Sequence, residues 1–145
     1  LLGAETFDVT VPTGGTRLDA RPLTTAYAPT AMPTGPTREV PLIELAYARS
    51  GDKGDTSNIG VIARRPEDLP LLRAQLTEAA VAAYLAHVVQ GPVTRYELPG
   101  IHALNFVCEQ ALGGGGMASL RNDPLGKGMA QVLLAMPVRV PADYR

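Results

Sequence analysis

The sequence contains no tryptophan, two phenylalanines and one cysteine in 145 residues. Scarce aromatics leave Leu, Val, Ala and Ile to build the core. A lone thiol, Cys108, excludes an internal disulfide and a cysteine-rich zinc site, and it suits a cytoplasmic setting. No apolar run approaches the roughly 18 residues of a membrane-spanning helix, so no membrane partner is expected. No tract of Lys or Arg exists either. The 13 basic and 14 acidic residues give a net charge of −1, which speaks against nucleic acid as a partner.

What the chain has is uneven. Residues 1–41 hold six of the 13 prolines and no lysine. The chain opens LLGAETFDVT, without Met and already alternating, as a stretch from a longer polypeptide would. TFDVTV (6–11) has strand periodicity, and TGGTR (13–17) reads as a turn. From Pro22 to Pro41 no period is sustained, and prolines fix φ and remove donors. Residues 1–40 are therefore expected to be the tail of a preceding domain plus an extended Pro-rich linker. The folded domain is expected over 41–145.

Within 41–145 the patterns suggest alternating elements. PLIELAYA (41–48) and NIGVIAR (58–64) read as strands. RPEDLPLLRAQL opens a helix, with Pro66 near its start and Glu67 and Asp68 in the first turn. Thr77 caps a second helix, on which Val81, Tyr84, Leu85 and Val88 recur at helical spacing; Gly91-Pro92 ends it. VTRYELP (93–99) alternates as a strand. IHALNFVCEQAL (101–112) reads as a helix, stopped by four glycines, and MAQVLLAMPVRV (129–140) as a final strand at an edge or bulge because of Pro137. The predicted class is α+β, a sheet of about four mainly antiparallel strands with helices on one face.

The stretch ARSGDKGDTSNIGV (48–61) is the densest polar run, too long for a simple turn. Asp52, Asp55 and Asn58 recur every third residue, yet the alternating ligand ladder and distal Glu of a calcium loop are missing. Lys53 also sits inside the cluster, so no metal is expected. Arg49 and Lys53 could hold a carboxylate or phosphate, with Ser50 and Asn58 as further polar contacts. Asp52 or Asp55 could act as a general base. The alternative is a structural loop in which these side chains bond nearby backbone.

A second candidate is ALGGGGMASL (111–120). Gly113, Gly114, Gly115 and Gly116 could expose N–H groups as an oxyanion hole or phosphate cradle, flanked by Asn105 and Ser119. No dinucleotide or P-loop motif accompanies them. His102, placed near this loop by the helix reading, could transfer protons. His87 reads as an interfacial histidine and Cys108 as a small core hydrophobe.

Three blocks, ARSGDKGDTSNIGVIAR, GPVTRYELPGIHALNFV and ALGGGGMASLRNDPLGKGMAQVLL, together resemble the C-terminal domain of the AtuA, or acyclic terpene utilisation, family over about residues 40–137. The resemblance implies a ferredoxin-like fold. It also implies work beside a larger domain or subunit in bacterial breakdown of branched terpenoids through acyl-CoA intermediates, with a CoA thioester as the possible substrate. It assigns no catalytic residue. Two other functions are compatible with the sequence: a non-catalytic assembly module within a homo- or hetero-oligomer, and a self-contained CoA-thioester hydratase, lyase or hydrolase.

Overall fold

The polar run is a hairpin. In the computed structural model, which describes residues 34–145 together with Gly3, Asp8, Thr10, Gly14 and Met32, strand β2 (Ala46–Lys53) pairs antiparallel with β3 (Thr56–Ala63). Only Gly54 and Asp55 lie between them. Gly54 takes φ of 68° at the first turn position, as the two-residue II′ hairpin requires. The expected long loop is therefore replaced by paired strands, whose polar side chains alternate between the two faces of the ladder. The strand and turn expected over 6–17, and the linker up to residue 33, lie outside the described residues apart from those five.

Other elements also differ from the sequence pattern. Leu42–Glu44 is a 3-10 turn that buries Leu42, and β2 starts only at Ala46. Residues 101–112, expected as a helix, contain strand β5 (Ala103–Cys108). Its alternate residues Leu104, Phe106 and Cys108 enter the core, a period of two hidden by apolar Ala103 before them and Val107 among them. Residues 129–140, expected as one strand, split into α3 (Met129–Leu134) and an extended segment (Pro137–Pro141). Met129, Ala130 and Leu133 are buried at helical spacing.

Other expectations hold in part: the second helix starts as expected but ends at Tyr84, before Gly91-Pro92, and residues 37–40, expected as linker, are in a strand. Pro66–Asp68 forms a 3-10 turn leading into α1 (Leu69–Gln75). Thr77 caps α2 (Glu78–Tyr84) by accepting from Ala80 N at 3.1 Å. Strand β4 (Val93–Leu98) pairs with β5. The sheet order is β2-β3-β5-β4, all antiparallel.

The chain order within this unit, ββ-helices-ββ-helix, is the ferredoxin-like β-α-β-β-α-β motif begun from its last strand. This explains the opening hairpin. One sheet face carries Ile59, Val61, Leu104 and Phe106 against the helices, and the core is continuous with Leu72, Leu76, Val81 and Leu133.

A second, two-stranded ribbon joins the ends of the described domain. β1 (Thr37–Pro41) pairs with β6 (Pro137–Pro141). The Gln75 amide grips the β6 edge, donating to Arg139 O at 2.8 Å and accepting from Arg139 N at 2.6 Å. The C-terminal residues are clamped by buried Asp68. Its carboxylate accepts from Arg65 Nη2 (2.9 Å), Arg65 Nε (3.1 Å) and Tyr144 Oη (3.0 Å). Arg65 also stacks over the Tyr144 ring at 4.7 Å. Among the described residues no helix is long and apolar enough to cross a membrane.

Charge-assisted hydrogen bonds to a buried carboxylate contribute about 1.5–3 kcal/mol each. Asp68→Ala is thus expected to lower unfolding free energy by about 2–4 kcal/mol, allowing for the exposure of Arg65 to solvent. Urea titration measures this.

Candidate functional site

The two sequence candidates, the polar run and the glycine loop, meet in space. Asp55 sits in the hairpin turn. Its Oδ1 accepts from Leu112 N at 3.1 Å and Gly114 N at 2.8 Å, and its main-chain oxygen accepts from Ala111 N at 2.8 Å. Gly115 lies so close beneath the turn that an added Cβ would fall 2.0 Å from Gly54 O. The loop is knit from within as well. Gly115 N donates to Leu112 O and Gly116 N to Pro124 O, at 3.2 and 3.3 Å. Arg121 reaches back under the loop, its Nη1 to Ala111 O and its Nη2 to Val88 O at 3.0 Å. Ser119 Oγ accepts from Arg121 N at 3.2 Å.

These bonds change what the candidates can do chemically. Of the Gly113–Gly116 N–H groups considered as an oxyanion hole, those of Gly114, Gly115 and Gly116 donate to this chain's own oxygens, as does Leu112 N beside them. The Asp55 carboxylate, considered as a base, already holds two backbone donors. Ser50 is similarly engaged. Its buried hydroxyl donates to Gly126 O at 2.6 Å, with Lys127 O at 3.2 Å, and accepts from Ala130 N in the first turn of α3 at 2.9 Å. Together they tie the hairpin to the loop and to α3.

The sequence reading passed over Lys127, the second of the chain's two lysines. Asp123 fixes the turn before it, accepting from Lys127 N at 2.8 Å and Gly128 N at 2.7 Å. Lys127 Nζ then lies 4.0 Å from Asp52 Oδ1, and a Cβ at Gly51 would sit 3.3 Å from the same nitrogen. Lys53 Nζ donates to Asp52 O at 2.8 Å. Both lysines therefore end beside Asp52. The only sequence signal for Lys127 was a lysine held between turn glycines, which by itself indicates no partner.

The other candidates separate from this corner. Arg49, Asn58 and Asn105 lie on the sheet face away from the helices, where Asn58 Nδ2 donates to Asn105 Oδ1 at 3.4 Å. His102 is exposed in the β4–β5 turn with φ of 51°. The six residues of β5 place it roughly 20 Å from the glycine loop, not beside it as the helix reading supposed. His87 is exposed. Among the described residues no three His, Cys, Asp or Glu gather as metal ligands would. Cys108 is buried on β5, and that burial pushes its thiol up to about 11, away from nucleophilic use.

Two predictions follow from this geometry. Gly115 and Gly116 both have positive φ, 70° and 48°, but only Gly115 abuts backbone. Gly116→Ala is expected to cost about 1–2 kcal/mol. Gly115→Ala should cost at least twice that, because the Gly54–Asp55 turn must move; thermal melts of both variants distinguish the costs. For Cys108 the folded pKa exceeds the ordinary value of 9.0. Its contribution is therefore present below pH 9 and lost as pH rises toward about 11. Cys108→Ala should flatten the alkaline fall in urea midpoint.

Comparison with known proteins agrees with the architecture. No curated protein and no solved structure matches the chain. The profile of the AtuA ferredoxin-like domain matches residues 40–139, from the last residues of β1 to the middle of β6. A match over most of the chain, on the ββ-helices-ββ-helix unit just described, shows that the chain belongs to the AtuA ferredoxin-like domain family.

Proposed function

We propose that this domain completes a larger AtuA-type domain or subunit acting on branched acyl-CoA thioesters or related acids in bacterial catabolism. The observation that carries this reading is the knob on the glycine loop. Met117 and Leu120 are exposed by 104% and 103%, as fully as in an isolated peptide, on a loop whose backbone is tied to the hairpin and to Arg121. Flexible loops lose entropy on docking; this one is already ordered. Burying both side chains would contribute roughly 3–6 kcal/mol. Lys53, Lys127 and Asp52 stand at the neighbouring corner, where the two ammonium groups could meet the phosphates or carboxylate of such a substrate. In this reading the partner supplies the catalytic groups.

A second reading, a purely assembling module, is favoured by one specific fact. The Asp55 carboxylate and the N–H groups of Gly114, Gly115 and Gly116 are engaged within the domain. A self-contained thioester enzyme using them as base and oxyanion hole gains no such support.

The test is made in the complete protein with its larger domain or subunit. Met117→Asp with Leu120→Asp is expected to reduce turnover of branched acyl-CoA thioesters at least tenfold, with the melting temperature of the domain unchanged. Lys53→Ala with Lys127→Ala should raise KM more than it lowers kcat, as loss of uniform binding does. Unchanged turnover in the knob variant would overturn the docking proposal. A lysine variant with unaltered kinetics leaves the assembling module as the better description.

A further inference from the structure

The sheet face opposite the helices carries a self-complementary pattern. Among the described residues all three helices lie on the other side, and the outward strand positions form rows fixed by the strand registers. The middle row runs Arg49–Gly60–Asn105–Tyr96, from edge strand β2 to edge strand β4. The row nearer the β4–β5 turn is Tyr47–Ile62–Ala103–Leu98, and the row on the other side is Gly51–Asn58–Val107–Thr94. Tyr47 and Tyr96 are 57% and 52% exposed, and Ile62 and Leu98 are also exposed. None of these positions carries a carboxylate, and the cations at this face gather along β2: Arg49 and Lys53 on the strand, Lys127 Nζ beside Gly51, and Arg64 over the Tyr47 ring at 4.0 Å.

We infer that two copies of this chain pack these faces together about a two-fold axis that runs along the strands, between the two sheets. Such an axis passes between β3 and β5, the central strands. It sets β2 of one copy over β4 of the other and keeps each row opposite itself. Arg49 then faces the partner's Tyr96, a cation over an aromatic ring. Asn105 faces the partner's Gly60, where an absent side chain leaves room. Ile62 faces the partner's Ala103, which its own neighbours already cover to 1% exposure, and Asn58 faces the partner's Val107. Large meets small through most of the central positions, as interdigitating sheets need at about 10 Å separation.

Charge selects this axis over the alternative. A two-fold across the strands would set β2 on β2, bringing Arg49 and Lys53 against their own copies. The chosen axis puts the two cationic edges on opposite sides, at a separation where salt largely screens them. Size is also sufficient. Four strands at about 4.8 Å and six to eight residues at about 3.3 Å make a slab of roughly 17 by 20–25 Å. With side-chain relief, two such faces bury on the order of 1,000–1,300 Å², at the lower edge of the range of a stable specific interface. The knob residues Met117 and Leu120 belong to the glycine loop, off these rows, while the lysine corner borders the Gly51–Asn58 row.

Light scattering and cross-linking on the 145-residue chain test the inference. The wild type is expected at twice the 15.3 kDa chain mass at micromolar concentration. Gly60→Arg fills the central recess and should give monomer. The monomer itself tolerates the change, since a Cβ at Gly60 meets nothing nearer than Arg49 O at 3.8 Å; circular dichroism checks this.

Tyr47→Cys with Leu98→Cys should give a covalent dimer with a short bis-maleimide. Within one chain these positions are three strands apart, roughly 14 Å, beyond the reach of such a reagent. Buried Cys108 does not compete. A monomeric wild type, a dimer indifferent to Gly60→Arg, or cross-linking by Tyr47→Cys alone would each overturn the proposed arrangement.

Discussion

The joint between the Asp55 carboxylate and the backbone of residues 112–114 is the contact on which the rest of the domain's polar architecture depends. A hairpin turn and a glycine loop, 57 residues apart in sequence for the Asp55–Leu112 pair, are held by one side chain and by the absence of another. Asp55 supplies an acceptor where the loop has donors. Gly115 removes the Cβ that would otherwise collide with Gly54 O. Neither element closes without the other. Once they close, Arg121 can reach Ala111 O and Val88 O, and the chain is carried toward the turn at Asp123 and the start of α3.

Ser50 repeats the same principle on the opposite side of the hairpin. It lies on the helix-facing side of β2, and its hydroxyl bridges the 126–127 carbonyls to the N-terminal turn of α3. A six-residue helix has little stability of its own. Here its first turn is satisfied by a side chain from the sheet, and its apolar residues Met129, Ala130 and Leu133 are buried beneath it. The polar density of residues 48–61 is thus explained by alternation. Ser50 and Ser57 face inward, Ser50 to the 126–127 carbonyls and α3 and Ser57 to Gly51 O of β2, while Arg49, Lys53 and Asn58 face outward.

This alternation also explains what sequence could and could not convey. The Thr77 cap, the Pro66 start and the β4 pattern were legible because each depends on local chemistry. The four-stranded α+β sheet followed from those elements and from the resemblance of three blocks. β5 was misread as a helix because Ala103, Leu104, Phe106 and Val107 are apolar on both faces, which hides a period of two; a strand central to a sheet commonly reads this way. α3 was misread as a strand because Val132, Leu134, Met136, Val138 and Val140 alternate across a real boundary at Ala135–Met136. The structure brings the hairpin turn against the glycine loop, a contact the sequence did not specify. Its chemistry was not visible, since no pattern shows that Leu112 N and Gly114 N are donated inward.

Internal satisfaction has a consequence for where function can sit. A carboxylate holding two amides and a hydroxyl holding three backbone groups are poor candidates for chemistry on a bound molecule, because any ligand must displace bonds that keep the loop in place. The groups left facing solvent are of a different kind: two fully exposed apolar side chains, a pair of lysines at one corner, and a sheet face with cations on a single edge. Each is a surface feature fixed on rigid backbone. A domain that uses its polar residues to lock its own loops has recognition surfaces to offer and few free reactive groups. In the proposed reading its contribution to a reaction comes through what it holds in place, which is the role given there to the knob and the lysine corner.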